Sequence, residues 1–163
     1  MFKPIMITSC FFLLSAGHSY TQPIQSNMVP PSQNEFNEFD QQQIKCLAKN
    51  IYFEAGNQSL TGKIAVANVV INRVKSKGFP ETPCKVIYQK TGKTCQFSWV
   101  CQNKKIRDFN LYQESHRIAQ FVYKTKQDIT NGALFFHSIR SRPSWSYKFK
   151  MTARIGDHIF YRS

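Results

Sequence analysis

Acidic residues are scarce in this chain. Its 163 residues include nine Asp and Glu against 22 Lys and Arg, which gives a formal net charge of +13. A field of this sign attracts polyanions, whether nucleic acid, anionic lipid or an acidic polymer. The basic residues are spread from Lys45 to Arg162 and form no compact run, and no recognised nucleic-acid-binding motif is present. Charge alone therefore does not identify the binding partner, and we expect that the partner is not a nucleic acid.

Long apolar runs are also missing. The apolar segment at 5–16 is too short for an ordinary transmembrane helix. It follows a single Lys3 and precedes small residues around Gly17, which is the pattern of a secretory signal peptide. We predict a signal peptide at 1–19, either cleaved or retained as an anchor, and no stable membrane insertion once it is removed.

Composition divides the rest of the chain into two parts. Residues 20–39 are rich in Gln, Asn, Ser and Pro, which indicates a flexible leader. Residues 40–163 have the aromatic and branched residues of a globular domain, and we predict that they form the functional unit. We expect this domain to be exported and monomeric.

Cysteine is sparse, and its number is informative. Besides Cys10 in the predicted signal, the chain has four: Cys46, Cys84, Cys95 and Cys101. An even number in an exported chain favours two disulfides, and all three pairings stay open. Zinc is the competing interpretation, but the spacing of the last two is unusual for a zinc site and no nearby His completes a set. We expect no metal and no cofactor.

The periodicity of apolar residues predicts three helices. Apolar side chains recur every three or four residues in three segments: 40–55, 61–77 and 108–126. Asp40 is the predicted N-cap of the first helix, and Gly56 its stop. A short helix follows Pro83.

Strand signals occur late in the chain. Segments 133–139 and 153–161 are rich in aromatic and branched residues, and we predict one strand in each. Segment 91–105 contains two Cys and a Gly, and we predict that it is a loop. Helices followed by a small antiparallel sheet make a mainly helical α+β chain.

Among the nine carboxylates, Glu54 has the most unusual context. It lies seven residues after Leu47, so both side chains point to nearly the same side of the first helix. Apolar surroundings raise the pKa of a carboxyl, which can then hold a proton and donate it to a leaving oxygen. Glycosidic bonds require such a donor. The alternative is an exposed Glu paired with a Lys or Arg.

No second carboxylate is an obvious partner for Glu54. Asp40 and Asp108 occupy predicted caps, and the others lie in the leader, on polar faces or at turns. Inverting and double-displacement glycosidases use two carboxylates. With one, the substrate could supply its own nucleophile.

A set of ordered motifs spans about 42–162. Together they resemble the SleB/CwlJ-type cell wall hydrolases, which include the spore-cortex-lytic enzymes. The motifs are CLAKNIYFEA (46–55), GKIAVANVVINRV (62–74), FP (79–80), CKVIYQ (84–89), CQFSW (95–99), ALFFH (133–137), PSW (143–145) and IGDHIFY (155–161). One departure is Gly56, where many members have Arg.

This resemblance implies a lysozyme-like fold and an enzyme that acts on peptidoglycan glycan strands. It implies cleavage of the β-1,4 bond between N-acetylmuramic acid and N-acetylglucosamine, with the family's catalytic Glu at Glu54. In a lytic transglycosylase the muramyl 6-hydroxyl attacks the anomeric carbon and leaves a 1,6-anhydro end. A hydrolytic muramidase and a non-enzymatic basic wall-binding protein remain as alternatives.

The resemblance also suggests residues that bind substrate. Sugar rings stack on aromatic faces and need amide or hydroxyl partners, and segment 96–98 is the expected cleft wall. The candidates are Gln96, Phe97, Ser98, Trp99, His137, Trp145, His158 and Tyr161. For each of them a purely structural role is the alternative.

Overall fold

The computed structural model describes residues 35–163, so the predicted signal peptide and most of the predicted leader lie outside the described residues. The helices are α1 (Glu38–Ala55), α2 (Leu60–Val74), α3 (Pro83–Ile87), α4 (Ser98–Cys101) and α5 (Phe109–Thr125). The strands are β1 (Lys90–Thr91), β2 (Thr94–Cys95), β3 (Phe135–Ser138), β4 (Lys150–Ile155) and β5 (His158–Arg162). Between residues 35 and 163, no helix has the length and apolar character needed to cross a membrane.

Helix α1 begins two residues before the predicted start. Its N-cap is Asn37, whose side-chain oxygen accepts a hydrogen bond from the Asp40 amide at 2.8 Å, so the prediction of Asp40 as the cap was wrong. The Asp40 carboxylate instead accepts a hydrogen bond from the Tyr123 hydroxyl at 2.6 Å, which ties α1 to α5. The predicted stop at Gly56 agrees with the observed end at Ala55.

Helix α2 is the central element, and residues 62–73 are all buried. One of its faces contacts α1, α3 and α5, while the other carries Val66 and Val69 against Ala133 and Phe160 of the sheet region. A helix covered on both sides loses the amphipathic pattern of a surface helix, because each face has a neighbour. It ends at Val74, before the predicted end at 77.

The late sheet has strand order β3-β5-β4, and both pairings are antiparallel. The predicted single strand at 153–161 is in fact parts of two strands. Gly156, with φ +55°, supplies the left-handed turn between them. Gln58 holds this turn: its side-chain oxygen accepts from the Asp157 amide at 3.0 Å, and its amide donates to the Asp157 carboxylate at 3.2 Å.

The segment predicted as a loop, 91–105, contains regular structure. Strands β1 and β2 pair as a short hairpin, and α4 follows. A disulfide between Cys95 and Cys101 closes this unit, with Cα atoms 5.8 Å apart. A second disulfide, Cys46–Cys84, joins α1 to α3 at 5.3 Å. Two disulfides were predicted, and the structure selects this pairing of the three.

Candidate active site

A cavity of about 500 Å³ opens where the end of α1, segment 96–98 and the late sheet meet. Its lining residues come from segments far apart in the chain: Glu54, Arg73, Gln96, Phe97, Ser98, Phe135, Phe136, His137, Ser138, Trp145 and His158. The structure thus brings together seven of the nine residues predicted for catalysis and substrate binding. Among the lining residues that the structure describes, Glu54 is the only carboxylate.

Glu54 lies in the last turn of α1 and is half-buried. Burial raises the pKa of its carboxyl above the usual value of 4.5, and the positive charge of Lys104 opposes this in part. Within residues 35–163, Glu54 takes part in neither of the two salt bridges, which join Lys63 to Glu114 and Lys124 to Glu35. The Glu54 carboxyl therefore faces the cavity without a fixed cationic partner.

Trp99, one of the residues predicted to bind substrate, does not line this cavity. Its side chain is 5% exposed, and its indole N–H donates to the Asn50 side-chain oxygen at 3.1 Å. The ring stacks on Phe53 with centroids 4.7 Å apart. Because Phe53 precedes Glu54, Trp99 supports the turn of α1 that carries the carboxyl.

Tyr161 also lies outside the cavity lining and acts on it indirectly. The His137 Nδ1 atom is 2.9 Å from the Ser138 carbonyl, which can only accept, so Nδ1 donates. In the neutral ring Nε2 is then an acceptor, and the Tyr161 hydroxyl donates to it at 3.0 Å. Trp145 packs edge-on against His137 with centroids 5.6 Å apart. Three contacts thus orient His137 at the cavity, and the Tyr161 hydroxyl provides one of them.

His158 is buried beneath the cavity. Its Nδ1 atom has no hydrogen-bond partner in the described part of the chain. Burial lowers the pKa of the ring, the charge of Asp157 opposes this, and His137 adds to the lowering. Phe136 meets the ring edge-on at 5.2 Å. His158 is therefore a neutral group in an aromatic setting at neutral pH.

Sequence reasoning missed Arg73 as a site residue. Its guanidinium is buried, and Nε donates to the Leu134 carbonyl at 2.7 Å. With the Gln96 amide oriented so that its oxygen faces the guanidinium, that oxygen accepts from Nη1 and Nη2 at 3.0 and 3.2 Å. Three aromatic rings lie 5.3–5.6 Å from the charge: Phe79, Phe97 and Phe135.

Burial lowers the pKa of Arg73 to about 10, so it remains charged at neutral pH. Its hydrogen bonds hold Gln96 at the cavity wall and connect α2 to the strand region. The available signal was an Arg two residues after the apolar run Val69-Val-Ile, in the last turn of a mainly apolar helix. Phe135, Phe136 and Ser138 were missed as well. They flank His137 in β3, and the cavity is lined by four consecutive residues of this strand, which the alternation of strand faces does not predict.

Gly56 has a packing explanation. A Cβ atom at this position would lie 2.6 Å from the Tyr52 carbonyl oxygen and 3.1 Å from a methyl carbon of Leu111. The severe clash is with the carbonyl oxygen of Tyr52, one turn earlier in α1 itself, whereas the contact with α5 involves only the end of the Leu111 side chain. Glycine at position 56 therefore avoids a clash with the backbone of its own helix end.

Comparison with known proteins now identifies the family. Residues 57–161 match the family model described as Cell Wall Hydrolase. The chain belongs to this family. Glu54 lies before the matched range, so the family match does not itself assign a role to this residue. Any role for Glu54 is argued from its position in the cavity.

Several curated relatives are spore cortex-lytic enzymes. That of Bacillus cereus is 28% identical over 142 residues, which cover 83% of this chain and 51% of the relative. That of Halalkalibacterium halodurans is 29% identical, over 72% of this chain and 34% of the relative. The chain spans about half or less of the length of these relatives.

Two solved structures have the same fold. The catalytic domain of the germination-specific lytic transglycosylase SleB from Bacillus anthracis matches with a TM-score of 0.62, 26% identity, and coverage of 79% of this chain and 98% of that domain. The catalytic domain of the Bacillus cereus SleB protein matches with the same TM-score and 27% identity, over 79% of this chain and 94% of that one. The predicted family and the lysozyme-like α+β fold are confirmed. The prediction of an enzyme is confirmed at the level of this family.

Proposed function

We propose that this protein cleaves the β-1,4 bond between N-acetylmuramic acid and N-acetylglucosamine in peptidoglycan, as a lytic transglycosylase with Glu54 as general acid and base. The observation that carries this proposal is the position of Glu54. It is the one carboxylate among the described lining residues of the cavity, and burial raises its pKa. Such a carboxyl retains its proton to a higher pH than an exposed one and is suited to protonate a leaving oxygen.

The proposed reaction has two steps. First, protonated Glu54 donates its proton to the glycosidic oxygen, the bond from that oxygen to C1 of the muramyl sugar breaks, and the electron pair leaves with the oxygen. The muramyl 6-hydroxyl oxygen then bonds to C1, and the Glu54 carboxylate takes the hydroxyl proton. The product has a 1,6-anhydro ring and the enzyme is regenerated. A second carboxylate, which a retaining glycosidase uses as nucleophile, is not required.

The remaining cavity residues fit the recognition of a sugar. Trp145 and Phe135 contribute aromatic surface to the lining, and Gln96 and Ser98 contribute an amide and a hydroxyl. Arg73 holds Gln96 in place. We therefore propose that these side chains position the muramyl ring beside Glu54.

We also propose that the protein acts outside the cytoplasm. Its two disulfides are typical of proteins in oxidising compartments. The relatives are named for action on the spore cortex, which lies outside the cytoplasm. Peptidoglycan glycan strands are then its partner.

Digestion of purified peptidoglycan by the full chain tests this proposal. Wild type, Glu54→Gln and Glu81→Gln are compared, and released muropeptides are analysed by mass spectrometry. Glu81 is exposed and outside the cavity, so its variant controls for the same chemical change. We expect anhydro-muropeptides from wild type and Glu81→Gln, with the rate lowered by about 10²–10⁴-fold in Glu54→Gln.

Three other outcomes would change the proposal. Reducing ends in place of anhydro ends, lost in Glu54→Gln, would make the protein a hydrolytic muramidase with the same catalytic residue. Equal release by all three proteins would remove Glu54 from the mechanism. No release by any of them, with binding to the wall intact, would favour a non-enzymatic basic wall-binding protein.

A further inference from the structure

A second cavity of about 320 Å³ adjoins the first and differs from it in charge. Its lining residues are His137, Ile139, Ser141, Arg142, Ser146, Tyr147, Arg154, Ile159 and Tyr161. Two of these are arginines, and among the described lining residues none is a carboxylate. Both arginines are exposed, and neither takes part in a salt bridge within residues 35–163. The cavity therefore offers two available guanidinium groups to an anion.

The two cavities share a wall. His137 lines both. The 3₁₀ helix Ser144–Tyr147 contributes Trp145 to the first cavity and Ser146 and Tyr147 to the second. The Tyr161 hydroxyl holds His137 in this wall. A ligand in the first cavity therefore lies beside the second, with His137 and the 3₁₀ helix between them.

We propose that the second cavity binds a carboxylate of the stem peptide carried by the muramyl residue next to the bond that is cut. This inference depends on the proposed function, because it takes the muramyl sugar to occupy the first cavity. The peptide hangs from the lactyl group of that sugar and carries free carboxylates. A guanidinium matches a carboxylate with two parallel hydrogen bonds. Tyr147, 77% exposed, provides an apolar surface for the peptide's aliphatic parts.

A wall phosphate polymer is the other anionic candidate, and the reaction chemistry disfavours it. Such a polymer attached to the muramyl O6 would remove the hydroxyl that closes the 1,6-anhydro ring. A peptide on the lactyl group leaves O6 free. The residue cut by the proposed mechanism can therefore carry a peptide but not a phosphate at O6.

Matched substrates test the subsite. The full chain is given peptidoglycan with free stem-peptide carboxylates, and the same material after coupling to ammonia has converted these carboxylates to amides, and kcat/KM is measured on both. We expect Arg142→Gln/Arg154→Gln to lose about tenfold on strands with free carboxylates and little on amidated strands, since two exposed guanidinium contacts are removed. The control is Lys150→Gln/Arg162→Gln, which removes the same charge from exposed positions on β4 and β5 outside both cavities. It should behave as wild type.

The outcomes separate the subsite from the catalytic proposal. An equal loss on both substrates, or no loss on either, would overturn the subsite while leaving cleavage established. If wild type cuts neither substrate, the proposed function fails. The subsite is then decided by calorimetric titration of the full chain with a synthetic stem tetrapeptide and with its fully amidated form.

In the titration we expect the free-carboxylate peptide to bind wild type more tightly than the amidated form, and this difference to vanish in Arg142→Gln/Arg154→Gln. A glycerol-phosphate oligomer is titrated in parallel. Arginine-dependent binding of the oligomer without binding of the peptide would assign the cavity to phosphate and overturn the proposal. Binding of neither would also overturn it.

Discussion

Ionisation of Glu54 is unfavourable in the folded chain, because its carboxylate is half-buried and forms no salt bridge within residues 35–163. Its pKa in the folded state lies above the value of 4.5 that an unperturbed Glu has. The folded chain therefore binds more protons than the unfolded chain once the pH exceeds that value, and stability falls as pH rises through the folded pKa.

This direction of the pH dependence gives a prediction for the stability of Glu54→Gln. The variant avoids the ionisation cost, so its free energy of unfolding should rise relative to wild type as pH increases from about 4 and level off above the folded pKa. Urea unfolding across this range measures it, with Glu81→Gln as control for the substitution. A difference that does not depend on pH would contradict the buried-carboxylate account. A variant that is more stable yet inactive would show that the site was kept for chemistry.

Some properties of single residues could be predicted from the sequence and others could not. The apolar context of Glu54 could be predicted, because its neighbours in the helix are also its neighbours in the sequence. Trp99 and Trp145 were equally good candidates as aromatic side chains, yet one supports the core and the other lines the cavity. Burial is set by contacts with distant residues such as Asn50 and Phe53, which a local pattern does not contain.

At the scale of elements, the two disulfides should have different effects. Cys46–Cys84 closes a sequence separation of 38 and joins α1 to α3, whereas Cys95–Cys101 closes a separation of 6 around segment 96–98. Loop-closure entropy predicts a loss of about 4 kcal/mol for the first and about 2 kcal/mol for the second when both cysteines become Ser. Urea unfolding of the two double variants measures this.

The loss of activity should be larger for Cys95–Cys101, although the loss of stability is larger for Cys46–Cys84. Removal of Cys95–Cys101 frees Gln96 and Ser98 at the cavity wall, so we expect a raised KM despite the smaller loss of stability. Kinetics at a temperature where both double variants stay folded separate the two effects. A loss of activity proportional to the loss of stability would show that the second disulfide does not position the wall.

The long helices were predicted with errors of a few residues because their apolar periodicity is local. The hairpin β1–β2 and helix α4 were missed because both are very short, and a two-residue strand has no periodicity to detect. The turn between β4 and β5 lies inside the segment predicted as one strand, although Gly156-Asp157 is a pair of residues typical of turns. The cap at Asn37 was missed because Asp40 offered an equally good capping side chain.

At the scale of the whole molecule, Arg73 couples the helical body to the sheet. It reaches from α2 to the Leu134 carbonyl before β3 and to Gln96 after β2. Arg73→Gln should lower the free energy of unfolding by about 2–4 kcal/mol, because buried carbonyl acceptors lose a charged donor. Urea unfolding measures this, and the exposed Lys77→Gln serves as control, with an expected change within about 0.5 kcal/mol. Equal stability of the two variants would show that the coupling lies elsewhere.

The sequence by itself determined the family motifs, the α+β class, the three long helices and the unusual context of Glu54, because each depends on residues close together in the chain. Only the tertiary structure decided the disulfide pairing, the role of Arg73, the exclusion of Trp99 from the cavity and the presence of a second, basic cavity. The physical reason is how far apart in the sequence the interacting residues lie. Helix periodicity is satisfied within a few residues, whereas a cavity wall forms where segments some forty to a hundred residues apart pack against one another.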